Sequence, residues 1–246
     1  MTDIIEIAVT DYLSAAAAAE GGADRIELCS ALSEGGLTPS YGLIETCKND
    51  FDIPVFPIIR PRAGDFLYTD EEFEIIQKDV LLCKQLGCDG IVTGFLLPDG
   101  NIDKNRISVI VQSAYPMQVT FHRAFDRCRE PFSALEDIID AGCHRILTSG
   151  QHIKATEGTA LIRQLIQAAN SRIIIMPGSG VRKENIKDLA EKTGATEFHS
   201  SLRSFSESKM KFIHPAFAAI KEEYLISAVD PGEVQALRKA LLRSIH

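Results

Sequence analysis

Short apolar runs recur along the chain at 4–9, 25–29, 53–59, 90–93, 117–121, 145–148, 172–176 and 196–199. They are rich in Ile, Val, Leu and Phe, and lie about 20 to 36 residues apart, the spacing of strands joined by helical crossovers. Between them the apolar period lengthens to that of a helix, and helix starts are signalled. Thr69-Asp-Glu-Glu72 is a capping box ahead of Phe73, Ile76, Val80 and Leu81. Thr38-Pro39 and Asp230-Pro231 each put a cap residue before a proline at the first helical position.

The helix exits share one pattern. Gly22-Ala-Asp-Arg25, Gly87-Cys-Asp-Gly90, Gly142-Cys-His-Arg145 and Gly194-Ala-Thr-Glu197 each offer a glycine for a left-handed helix stop, then a small and a polar residue leading into a strand. Joints built alike argue for one repeating βα unit. Eight strands alternating with helices predict an α/β fold, a (β/α)8 TIM barrel, as a single domain over residues 1–246. A doubly wound open sheet is the alternative. It would want a phosphate loop after the first strand, where this chain has Val9-Thr10-Asp11-Tyr12. The eight strands fall within 4–200. Residues 202–229 read as an irregular loop, serine-rich up to Phe212 and ambiguous between strand and helix beyond it. A closing amphipathic helix follows over 231–244, with Val234, Leu237, Leu241 and Leu242 on its apolar face.

Composition narrows the function. With 45% apolar and 24% charged residues the chain can build a sizeable core, and a net charge of −8 without a basic stripe argues against nucleic acid or an anionic membrane as partner. No apolar run approaches a membrane span, and Met1-Thr2-Asp3 lacks the basic start of a signal peptide, so a cytoplasmic protein is expected. Cys29, Cys47, Cys83, Cys88, Cys128 and Cys143 are scattered, without C-x-x-C or zinc spacing, and read as reduced thiols filling the core.

Period two sorts each strand into a face toward the helices and a face toward the barrel lumen. Ile26 and Leu28 turn outward, leaving Arg25, Glu27 and Cys29 inward with Glu6 and Ala8 of the first strand. The third strand turns Phe56, Ile58 and Arg60 inward, the fifth Thr120 and His122, and the eighth Glu197, His199 and Ser201. Catalytic groups in such barrels sit at the carboxyl ends of the strands. There Glu27, Arg60, His122 and His199 converge, ringed by Arg62, Asp65, Arg123 and Asp126. Arg25 and Arg145 open their strands, at the end where stability rather than chemistry is expected, while His144, His152 and His246 read as surface residues. Gly178-Ser179-Gly180 ends the seventh strand and leads into a helix expected near Arg182. With Ser200 and Ser201 after the eighth strand, and Ser149 after the sixth, it suits a phosphate or other anion. No lysine ends a strand, so a Schiff-base mechanism has no candidate, and neither an H-x-H pair nor a magnesium-type carboxylate cluster is evident.

These residues alone describe an enzyme acting on a small polar, phosphorylated or sugar-like metabolite. Glu27 and His122 would be its acid/base pair, Arg60 and Arg62 would hold an oxyanion or carboxylate, and Asp65 and Asp126 would orient them. Isomerase, lyase and hydrolase chemistry all stay open, and the residues themselves imply no cofactor.

Several stretches also resemble the CutC family of copper homeostasis proteins: Gly22-Ala-Asp-Arg-Ile-Glu-Leu-Cys29, Ser33-Glu-Gly-Gly-Leu-Thr-Pro39, Ile59-Arg-Pro-Arg-Ala-Gly-Asp-Phe66, Val119-Thr-Phe-His-Arg-Ala-Phe-Asp126, Leu147-Thr-Ser-Gly150 and Glu197-Phe-His-Ser-Ser201. The resemblance implies a TIM barrel, a cytoplasmic location, a homo-oligomer (dimer or tetramer) and a role in copper homeostasis with copper bound through cysteines. Cys29 is the metal ligand it would supply. Several family members carry cysteine in the first strand, where this chain reads Ile7-Ala8-Val9. Two readings therefore stand side by side: a copper homeostasis protein that binds copper, and a barrel enzyme of a small polar metabolite.

Overall fold

A computed structural model describes residues 3–217 and 219–241. In chain order the elements are β1 (Ile4–Val9), α1 (Tyr12–Glu20), β2 (Arg25–Leu28), α2 (Tyr41–Asp50), β3 (Val55–Pro57), α3 (Asp70–Gln85), β4 (Gly90–Thr93), α4 (Lys104–Ala114), β5 (Gln118–Phe121), α5 (Pro131–Asp140), β6 (Arg145–Thr148), α6 (Thr159–Ala169), β7 (Ile174–Pro177), α7 (Ile186–Thr193), β8 (Glu197–Ser200), β9 (Ser204–Glu207), β10 (Leu225–Ala228) and α8 (Pro231–Leu241). The helix-exit glycines take the left-handed conformation their spacing predicts, with φ of +84° at Gly22, +73° at Gly87, +88° at Gly142 and +79° at Gly194.

The first eight strands form two parallel four-stranded sheets, in the orders β3-β2-β1-β8 and β4-β5-β6-β7. A parallel bridge between Ile58 and Val92 joins β3 to β4, reinforced by Ile59 N–H donating to the Val92 carbonyl at 2.7 Å. At the other seam Gly178, just past β7, lies so close to β8 that a Cβ there would stand 3.3 Å from His199. The result is the predicted α/β TIM barrel.

Alternation divides the strands as period two requires. Ile5, Ile7, Val9, Ile26, Leu28, Val55, Ile91, Val119, Ile146 and Phe198 belong to one core with helix residues such as Ile44, Ile76, Val80, Ile110, Leu135, Ile162 and Leu189. Each such side chain contributes about 1.5–3 kcal/mol of burial, so a one-residue slip of any strand would be costly. The lumen holds a small apolar cluster of Cys29, Phe56, Ile58 and Val92. Beside it runs a column of charge. Arg25 lies between Glu6 (Nε to Oε2, 2.5 Å) and Glu197 (Nη2 to Oε2, 2.8 Å), and Arg145 Nε also meets Glu197 Oε2 at 3.1 Å. Both guanidinium groups lie over the Phe56 ring, at 5.0 and 5.4 Å. Buried ions are tolerated only when paired and hydrogen-bonded, and these are.

Local details depart from expectation in two places. The capping box at Thr69 and Glu72 forms in both halves, but α2 starts at Tyr41, capped by Ser40, and not at Pro39. Thr38 is drawn elsewhere: its Oγ1 accepts the Arg60 backbone N–H at 2.9 Å. Likewise α7 starts at Ile186 and not near Arg182, because the Asn185 side chain accepts the Arg182 N–H and holds an irregular turn ahead of the helix. Within 202–229, β9 and β10 pair antiparallel and two short 3-10 turns (Pro215–Phe217, Lys221–Tyr224) lie between them. The expected closing helix is described as far as Leu241. Its last residues, Leu242 among them, and His246, Met1 and Thr2 lie outside the described residues.

Candidate functional site

At the carboxyl ends of the strands a cavity of about 530 Å³ opens, with Glu27, Arg60, His122 and His199 in its wall. Glu27 is 5% exposed, because Ile26 and Leu28 on either side anchor β2 to the helix layer. Burial raises its pKa to about 7, against the pull of His199 and Arg25. His199 presents one ring nitrogen to each of two carboxylates: Nδ1 lies 2.7 Å from Glu6 Oε1, and Nε2 lies 3.9 Å from Glu27 Oε2. Burial would lower the imidazole pKa, but Glu27 and Glu6 together raise it. Glu6 itself, although burial opposes ionisation, is held near 2 by Arg25 and His199. A charged Glu6 thus orients His199, whose other nitrogen faces, across 3.9 Å and without a hydrogen bond, a Glu27 that titrates near neutrality. Two groups so poised suit acid/base chemistry.

His122 is built differently. It directly follows β5, its Nδ1 accepts the Ala124 backbone N–H at 3.2 Å, and its Nε2 is buried without a hydrogen-bond partner. Gly94 makes room for the ring, since a Cβ there would fall 2.6 Å from Nδ1. Burial first, then the positive charge of Arg60, pushes its pKa down to about 3. A ring that stays neutral throughout the physiological range does not exchange protons as the expected partner of Glu27; its chemistry is that of a neutral hydrogen-bond donor. Arg60 is held by three carbonyls: Nη1 donates to Glu34 (2.7 Å) and Gly36 (3.0 Å), and Nη2 to Gly64 (2.8 Å). Among the described residues no carboxylate pairs with it, and its Nε is buried and unpartnered. Phe66 covers both residues, its ring 4.8 Å from that of His122 and 5.0 Å from the Arg60 guanidinium.

The rim is basic. Arg123, Arg127, Arg182 and Arg203 join Arg60 in the cavity wall, where Glu27 and Glu34 are the acidic side chains. Ser179, Gly180, Ser200 and Ser201 line it as well, and Arg182 Nη1 donates to Ser200 Oγ at 3.1 Å. With α7 starting only at Ile186, the expected helix end is not at the glycine turn, and these side chains are the groups an anion would meet there. Other expected residues stand elsewhere. Arg62 is bound to Glu72 (2.5 Å) and Asp65 (3.0 Å), with Asp65 71% exposed, and neither lines the cavity. Asp126 is buried beneath the rim, accepting from Arg123, Thr148, the Ser149 backbone and hydroxyl, and the Gln151 N–H, so Asp126 and Ser149 position Arg123. Gly178 serves packing, since a Cβ there would fall 2.4 Å from Leu147. Arg127, Arg182, Arg203 and the partnership of Glu6 with His199 escaped the sequence reading. Of these only Arg182, directly after the glycine turn, had a positional cue.

Copper fits these residues poorly as Cu(I). Cys29 is fully buried, burial pushes its thiol pKa up strongly, and its Sγ donates to the Val9 carbonyl at 3.5 Å. A thiol so held is a weak source of thiolate. The one group of three or more potential ligands among the described residues is Glu6, Glu27 and His199, an oxygen and nitrogen set without sulfur, whereas Cu(I) favours thiolate and thioether.

The sequence profile of the CutC family matches residues 3–204. A copper homeostasis protein cutC homolog from Homo sapiens is 46% identical over 238 residues, 95% of this chain and 87% of that protein. A family protein CutC from Chromobacterium violaceum is 46% identical over 244 residues, 98% of this chain and 99% of that one. The CutC crystal structure from Streptococcus agalactiae superposes with a TM-score of 0.78 at 30% identity, covering 81% of this chain and 99% of that chain. With the barrel, the lumen motifs and these relatives in agreement, the chain belongs to the CutC family.

Proposed function

We propose that this protein serves copper homeostasis, the role in its relatives' names, by acting on a small anionic metabolite through acid/base chemistry at the barrel mouth. One observation carries the reading: a buried carboxyl, Glu27, titrating near neutrality beside His199, stands under a rim of arginines in a protein of net charge −8. Glu27 and His199 move the proton, Glu6 orients His199, and Arg182 with Arg127, Arg203 and Ser200 holds the anionic group. Copper is reached through that metabolite and not through a thiolate site at Cys29.

Thermal-shift measurement against inorganic phosphate, sugar phosphates and small carboxylates tests the reading. Stabilisation that Arg182→Ala removes is expected; a shift indifferent to that change overturns it. In parallel, Cys29→Ser should leave Cu(I) affinity against a competing chelator unchanged, and a loss of tenfold or more (about 1.4 kcal/mol) would restore the direct copper site. The proposal places the protein in the cytoplasm as a homo-oligomer. Exposed Phe205, Met210, Phe212, Phe217 and Ile226 around the β9–β10 pair support association, and sedimentation analysis would check it. Among the described residues no helix is long and apolar enough to cross a membrane.

A further inference from the structure

We infer that Arg60 Nε–H and His122 Nε2–H are the paired donors of an oxyanion site covered by Phe66, and that the substrate is a carbonyl compound carrying a separate anionic group. The inference rests on the acid/base reading above and names its substrate class. Three observations converge on it.

The first is the hydrogen-bond account of His122. Its Nδ1 accepts from Ala124 N–H, so the single proton of a neutral ring sits on Nε2. Nε2–H is therefore a donor, buried in a residue 4% exposed, and it has no acceptor. The second is Arg60. Its two terminal nitrogens are spent on three carbonyls, while Nε–H, in a residue 3% exposed, makes no hydrogen bond; the Tyr68 hydroxyl, which interacts with the Arg60 side chain, is likewise buried and unbonded. Buried donors are rarely left unmet in native proteins. Two in neighbouring cavity-wall residues under one aromatic ring call for a common acceptor, and a carbonyl oxygen with two lone pairs can take both. A guanidinium without a carboxylate partner, beside an uncharged imidazole that donates, suits an oxygen that carries negative charge as the reaction proceeds.

The third is the cover. Phe66 sits on a loop between β3 and α3 without regular structure, two residues after Gly64, whose φ of +90° a side-chain-bearing residue would resist. Its ring packs on both side chains, 4.8 Å from the His122 ring and 5.0 Å from the Arg60 guanidinium, and lines the same cavity as they do.

The chemistry balances without an oxidant. The Glu27 carboxylate takes the proton from the carbon beside the carbonyl. The C–H electron pair becomes the C=C bond, and the carbonyl π pair moves onto oxygen, where the two N–H groups meet it. Returning the proton to the same carbon regenerates substrate. Where that carbon carries a hydroxyl, the hydroxyl proton moves to the enolate oxygen, the C–O bond there becomes the new carbonyl, and the Glu27 proton goes to the former carbonyl carbon, which isomerises an α-hydroxy carbonyl compound.

The test uses the whole protein with 15N-labelled histidine and arginine. Phosphoglycolate and oxalate, planar anions that imitate an enolate, are added at millimolar concentration. The expected result is a His122 ring protonated at Nε2 at neutral pH, with its N–H and the Arg60 Nε–H resonances moving together when either probe is added. His122→Phe should lower the rate of solvent deuterium exchange into the α-carbon of bound carbonyl compounds by ~10²-fold, as loss of one oxyanion donor does. His122→Gln, which keeps an N–H, should retain part of it. A ring protonated at Nδ1 overturns the inference, as does either resonance unmoved by both probes. The underlying reading is judged separately: stabilisation by inorganic phosphate that depends on Arg182 upholds it even then, and absence of that effect removes it.

Discussion

Arg25 is the residue on which the lumen's charge balance turns, and Arg25→Met is the change that measures it. The guanidinium lies between Glu6 and Glu197 at 2.5 and 2.8 Å, all three being nearly inaccessible to water. Removing one member of a buried ionic cluster costs about 3–5 kcal/mol, because the partners stay buried without compensation. The Glu6 shift gives a second route to the size. Arg25 and His199 bring its pKa from 4.5 to about 2, a difference worth about 3 kcal/mol at 1.36 kcal/mol per unit. For a chain of 246 residues, a loss of about 4 kcal/mol lowers Tm by about 8 °C, taking ~2.1 cal/mol/K per residue. The sign with pH is also determined. In the native protein the Glu6 contribution is fully present above 4.5 and is lost as pH falls toward 2. Without Arg25, burial dominates and lifts the carboxyl pKa above its unfolded value, so the variant gains stability on acidification between about pH 7 and 5. Guanidinium unfolding at several pH values reads both quantities, and adding Glu6→Gln to Arg25→Met should recover a large part of the loss. A penalty below about 1 kcal/mol, or a gap between native and variant that does not narrow on acidification, would refute the account of the lumen as a coupled ionic column.

Two further outcomes follow from the site's protonation. Glu27→Gln should abolish α-proton exchange, and in the native protein that rate should rise as pH passes about 7, where Glu27 loses its proton. Because its pKa is raised from 4.5, Glu27 costs stability above that range, so the same variant should be more stable at pH 8 by up to about 3 kcal/mol; a destabilised variant would contradict this. His122 behaves oppositely. With a pKa lowered from 6.5 to about 3, its neutral burial weakens the fold as pH falls through that interval, and His122→Gln should flatten the decline in urea midpoint between about pH 6 and 4. An unchanged acid limb would mean that the ring is charged or exposed.

Much of the barrel could be read from the chain because its determinants are local. Four left-handed glycines and eight short apolar runs specify the βα unit, and period two placed Glu27, Arg60, His122 and His199 on one wall without any knowledge of contacts. Roles were harder. Nothing near His122 in the sequence announces that Arg60 and a full burial suppress its basicity, nor near Glu27 that it faces an imidazole 172 positions away. Arg127, Arg182 and Arg203 lie in connecting segments, where periodicity carries no information. Asp65 and Asp126 looked alike on paper, yet one is out in solvent with Arg62 and the other is buried under Arg123. Thr38 and Arg182 misled because a cap residue and a glycine turn each have competing partners, Arg60 N–H in one case and Asn185 in the other.

The two parallel sheets differ in how far the chain must travel to make them. Strands β4 to β7 follow one another directly, whereas the other sheet pairs β1 with β8, and the Glu6–His199 hydrogen bond joins residues 193 apart. Closing so long a loop carries an entropic cost met only once the rest of the barrel is in place. The orienting carboxylate and its imidazole therefore meet across a seam that needs both ends of the barrel. A half-made barrel, a nascent chain stopped before β8, or a nicked product that has lost β1 holds most of the arginine rim but not the Glu6–His199 pair. The proposed acid/base chemistry is in this way tied to completion of the fold.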